Sequence, residues 1–166
     1  MSIADPIVNI LQWLNDTSLA EAIRDSVWIF PAIETVHVIA IALVVGSIMR
    51  LDLRLAGLLW RDRPVTEVSG QMLPWTWASF VVAAIFGLLL FASKPFTYLQ
   101  ILFFDVKKFL IVLAGLNMVI FQHVIFKGVT KWDRSPMPPT AVRVAGSLSL
   151  AFWLSVLVCG RLIGFV

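Results

Sequence analysis

Two histidines, His37 and His123, sit inside apolar stretches of this 166-residue chain, and an imidazole so placed can ligate a metal or carry a proton. Glu34 precedes His37 by three residues, which puts both side chains on one helical face and lets a carboxylate orient the ring or balance charge on it. Asp105 and Lys108 repeat that spacing, Lys107 stands beside them, and Arg161 lies near the C-terminal end. If the helices alternate in direction, Glu34, His37, Asp105, Lys107, Lys108 and Arg161 gather in one half of a bundle. The set offers a neutral imidazole as metal ligand, a carboxylate behind it, and cations suited to anionic substituents such as haem propionates. A structural polar network, or lysines snorkelling to an interface, is the plainer alternative.

His37 lies thirteen residues before Arg50 and His123 four before Lys127. At 1.5 Å per residue their depths differ by roughly 14 Å, which disfavours one haem held between the two histidines. His37 is therefore the first metal-ligand candidate and His123, beside Gln122 near a span end, the second.

These residues need elements to position them, and hydropathy supplies the elements. The chain is 60% apolar and 14% charged, with a mean hydropathy of +0.92. Apolar runs at about 27–49, 74–92, 103–126 and 142–166 are each long enough to cross a hydrocarbon core of about 30 Å. The expected fold is all-α, an integral membrane four-helix bundle over 27–166. Residues 1–26 precede it as an amphipathic helix in the interface. There Asp5-Pro6 reads as an N-cap followed by proline at the first helical position, and Ser18 with Glu21 reads as a capping box for a second segment. A kink is expected at Pro31, and polar linkers at 60–71 and 130–140.

Small residues four apart form seams where helices can approach closely: Ala42 and Gly46; Ser79, Ala83 and Gly87; Ser147, Ala151, Ser155 and Cys159. The lone Cys159 excludes an internal disulfide and a cysteine-rich metal site. Four basic residues in 50–63 and four in 127–143 place those loops in the cytoplasm of a bacterial inner membrane and both termini in the periplasm. Because the basic residues flank spans, nucleic acid is not an expected partner. No dinucleotide, phosphate-loop, nucleophile-elbow or paired zinc motif is present.

The first span, "VHVIAIALVVGSIMRLDLRLAGL", resembles the opening helix of CopD-type membrane domains and of HemJ-type protoporphyrinogen oxidases, with a histidine, then a glycine, then a basic "RL". "DVKKFLIVLAGLNMVIFQH" is similar to their third helix, and "VRVAGSLSL" with Arg161 to their fourth. The chain also resembles a set of uncharacterised bacterial four-helix membrane proteins. The HemJ likeness implies a b-type haem, with His37 as the first-span histidine and Lys108 as the family's lysine. Gln122-His123 stands where that family has Tyr-His, and Ala145-Gly146 where it has Asn-Glu. The CopD likeness implies copper, although the methionines are scattered.

The expectation is an inner-membrane redox module with haem b on His37, for electron transfer or haem-linked oxidation. Glu34, Lys107, Lys108 and Arg161 would complete the site. Its partners would be the lipid bilayer, a quinone or a redox protein, or a second copy. The alternatives are a cofactor-free scaffold or partner subunit, and a small-ion or metal transporter.

Overall fold

In the computed structural model, which describes residues 4–165, the chain is helical throughout its regular elements. Four long helices form the body: α3 (Ile29–Leu55), α4 (Val65–Ser93), α6 (Leu102–Ile120) and α7 (Thr140–Ile163). Three shorter ones, α1 (Ala4–Asn15), α2 (Ser18–Asp25) and α5 (Pro95–Leu99), gather at the end where the described chain begins and finishes. Beyond α6 the rod continues through a wide π turn, Phe121–Ile125, and a 3-10 stretch, Phe126–Lys131, giving 30 residues of unbroken helical rod. All four rods are long and apolar enough to cross a membrane, as a multi-pass protein requires.

The rods do not close into a ring. α3 packs along α4 and α7, and α6 packs along α7, so their order is α4, α3, α7, α6, with no comparable seam joining α6 to α4. Close approach within this arc depends on two glycines. At Gly146 on α7 an added Cβ would stand 2.7 Å from Leu55 Cβ and 2.9 Å from the Asp52 carbonyl oxygen of α3. At Gly87 on α4 it would meet the His37 ring.

Several local elements differ from their sequence expectations for identifiable reasons. Thr17, one residue before the expected Ser18, caps α2: its hydroxyl accepts from the Ala20 amide at 3.2 Å. α2 is built into the bundle, burying Ala20 and Ile23 against α3 and α4, while Arg24 donates to the Ser93 carbonyl at 2.9 Å. α1 begins at Ala4, ahead of Asp5, whose side chain lies outside the described residues. Pro31 falls in the first turn of α3, where no amide donor is required, so it does not interrupt the helix.

α4 starts nine residues ahead of the expected 74 and runs through Pro74. Its start is fixed from elsewhere. Asp133, in the loop before α7, accepts from the Thr66 amide at 2.8 Å and the Thr66 hydroxyl at 2.9 Å, and its carbonyl takes the Val65 amide at 3.0 Å. Arg54, with no exposed surface, ties the same region together. Its guanidinium donates to the carbonyls of Arg63 at 2.7 Å, Ser135 at 3.0 Å and Asp133 at 3.2 Å. A hydrophobic cluster that includes Leu51, Leu55, Val65, Phe121 and Trp132 lies beneath these loops.

Candidate functional site

His37 projects from α3 into the notch left by Gly87 on α4. An added Cβ at Gly87 would lie 2.7 Å from its Cε1 and 3.3 Å from its Nδ1. One turn earlier on α4, the Ala83 carbonyl pairs with Nδ1 at 2.8 Å. That carbonyl can only accept, so Nδ1 carries the proton and Nε2 keeps its lone pair. The ring is thus oriented by α4 and not by Glu34, which is exposed on the outer side of α3.

The expected polar gathering forms only in part. Lys107 points inward, close enough for its charge to act on His37, and its Nζ would lie 3.4 Å from a Cβ added at Gly160 on α7. Lys108 instead lies on the exposed side, pairing with Asp105 at 2.8 Å and sitting over the Phe104 ring at 4.8 Å from its centroid. Arg161 is exposed and covers Phe165. Two consecutive lysines point about 100° apart on a helix, so one inward lysine commits its neighbour outward. Near the same end Glu34 acts on Tyr98 of α5. Burial first, and the carboxylate second, hold that phenol above its ordinary range.

His123 does not join His37. It is exposed in the π turn, its Nδ1 pairs with the Val119 carbonyl at 3.1 Å, and it stands near the opposite end of the bundle. Counting from the starts of α3 and α6, the two rings are separated along the axis by on the order of 20 Å. Among the described residues no three His, Cys, Asp or Glu side chains converge on a metal-sized space. Of the two histidines, only His37, through Nε2, would be placed inside the bundle to hold a haem.

A second site has no counterpart among the residues singled out by spacing. A cavity of about 140 Å³ lies between α3, α4, α6 and α7 in the half of the bundle that holds the basic loops. Its walls include the rings of Trp77, Phe80, Phe121, Phe126 and Trp153. Phe80 and Trp153 meet edge to face at 6.3 Å and join α4 to α7 on one side of it. α4 and α6 share no packing seam beside it, and there the lining residues Trp77, 49% exposed, Gly115, Met118 and Gln122 are exposed.

Asp52 is the acid in this cavity. Its side chain is 3% exposed, Oδ2 has no hydrogen-bond partner, and among the described residues it forms no ion pair. An isolated buried carboxylate costs several kcal/mol unless something neutralises or binds it, so such a group marks a functional candidate. In the sequence it hides inside "MRLDLRL", which reads as the basic end of a span. A signal was available. Ile48, Leu51 and Leu55 lie four before, one before and three after Asp52, so it shares the buried face, while Arg50 and Arg54 leave from other angles.

Residues 13–166 match a family of unknown function, DUF6644, and the chain belongs to that family. The match begins at Trp13, inside α1, and takes in α2 and all four rods. It lends no support to the CopD-type or HemJ-type resemblance, so neither copper handling nor porphyrinogen oxidation comes with it. No curated protein and no solved structure matches the chain.

Proposed function

We propose that the protein is a membrane-embedded binding module for an amphipathic small molecule. The molecule's ring enters the cavity sideways between α4 and α6, and its tail stays among the acyl chains. One observation carries this reading: Asp52, almost fully buried and with Oδ2 unpartnered, shares an aromatic-walled cavity that no other charged side chain lines among the described residues. Aromatic faces take up a flat apolar ring, while the single acid fixes its orientation. The size also suits a ring, since a dry cavity of about 150 Å³ holds a benzene. With the basic loops cytoplasmic, the mouth opens in the cytoplasmic leaflet of a bacterial inner membrane.

The test uses protein purified in nanodiscs after exposure to lipids of the producing cell, with bound small molecules read by native mass spectrometry. Gly115→Leu should obstruct the open side of the cavity without collision, because Gly115 is exposed on its lining and a Cβ there meets nothing within 4 Å. Loss of a bound molecule from that variant is expected. An unchanged set of bound molecules would sink the proposal.

Haem on His37 stands as a second reading, favoured by the free Nε2 that the Ala83 bond leaves. Haem would supply one-electron chemistry; the chain would contribute the fixed ring and the nearby Lys107 ammonium. A haem titration giving the same Soret band in wild type and His37→Ala removes it.

A further inference from the structure

We infer that the ligand of the Asp52 cavity is a monocation, a protonated amine carried on a single ring; this rests on the cavity being a binding site at all. The polar inventory of the walls leads there. The Asn117 side-chain amide already donates to the Ala145 carbonyl at 3.0 Å. The Thr76 hydroxyl donates to the Met72 carbonyl at 3.0 Å and meets the Ser47 hydroxyl at 2.8 Å. The Ser149 hydroxyl is turned to the Asp52 carboxyl, which leaves Asp52 Oδ2 as a buried acceptor without a partner among the described residues, so a ligand that reaches it must bring the donor.

Charge narrows the choice further. Among the described residues no Lys, Arg or His lines the cavity. Neither of the two arginines nearest Asp52 in sequence pairs with it: Arg54 donates to three loop carbonyls and Arg50 lies over the Trp60 ring at 5.4 Å. A cationic ligand supplies the counter-charge the protein omits, and the five aromatic rings add cation–π attraction in a site shielded from water. A neutral hydroxyl would make the hydrogen bond but leave the charge unbalanced. An anion would add a second negative charge to the site. The volume limits the buried part to one six-membered ring, so longer substituents must leave through the α4–α6 opening.

The experiment compares 4-fluorobenzylamine, 4-fluorobenzyl alcohol and 4-fluorophenylacetate by fluorine NMR. Protein is held in phosphatidylcholine nanodiscs, and empty discs subtract simple partitioning. The amine is expected to bind about tenfold tighter than the alcohol, the acetate not measurably, and Gly115→Leu to abolish both binders. Asp52→Asn should bring amine and alcohol level. The wild-type ratio is decisive even if that variant folds poorly. Alcohol binding as tightly as amine, with both lost in Gly115→Leu, overturns the cation and leaves the site standing. Binding of neither, or binding indifferent to Gly115→Leu, overturns the site itself.

Discussion

Replacing Gly87 by alanine should unseat His37, and the cost follows from the distances. The new methyl carbon would stand 2.7 Å from Cε1, whereas carbon atoms rest at about 3.5–4.0 Å. The ring must therefore withdraw by about 1 Å. That stretches the 2.8 Å contact between Nδ1 and the Ala83 carbonyl beyond useful hydrogen-bond range. A lost hydrogen bond costs about 1 kcal/mol, and forcing a methyl group into a filled space about 1–3 kcal/mol, so the variant should lose about 2–4 kcal/mol. Reversible unfolding in bicelles measures this. The decisive comparison repeats it in a His37→Ala background. With the ring gone the methyl meets no obstacle, and alanine is the better helix former by up to about 1 kcal/mol, so the effect should vanish or change sign. Equal losses in both backgrounds would refute the notch geometry and with it the assignment of the Nδ1 proton.

Arg54→Ala should cost about 3–5 kcal/mol, because three carbonyls lose a charged donor at once. Limited proteolysis should show faster cutting in the loops before α4 and α7, and a variant within about 1 kcal/mol of wild type would contradict the stapling role. Tyr98 is the chain's only tyrosine, so tyrosinate absorbance in a pH titration reports it alone. It should ionise above the ordinary tyrosine range, and Glu34→Gln should move it part of the way back. Because folding holds the phenol neutral, its share of stability is complete below the unfolded tyrosine pKa and is lost as pH climbs through the raised one. A midpoint at the ordinary value would be inconsistent with its burial.

Four apolar runs were enough to announce four rods, since crossing length and composition are properties of the chain alone. Their ends were less legible where a distant residue sets them. Nothing in "RPVTEVSGQML" declares a helix start at Val65, because the cap is Asp133, far along the sequence. Packing faces were legible in part. Ser79, Ala83 and Gly87 do lie toward α3, the first two buried and Gly87 against the His37 ring. On α7 the expected seam holds only toward its end: Ser147 and Ala151 are exposed, Ser155 is half-buried and Cys159 buried, while the buried face nearer the start includes Ala145, Gly146 and Ser149. Small size marks where backbones can approach, but not which of two adjacent stripes is used. Polar residues proved hardest. Glu34 and His37 share helical spacing, yet the ring is claimed by a carbonyl on α4 that no sequence spacing on α3 encodes.

The π turn after α6 sets the phase of everything downstream. Each residue of a regular helix advances its facing by about 100°, and a wider turn absorbs one residue without adding rotation. Regular winding from Phe121 would return Ile125 to the interior but carry Phe126 about 140° away; instead Ile125 and Phe126 both face inward while Val124 is 69% exposed. Trp132 then arrives buried, with Asp133 directly after it at the head of α4. Deleting one residue between 121 and 125 would rotate that whole tail by more than a quarter turn, and the anchor for the start of another rod would swing away with it.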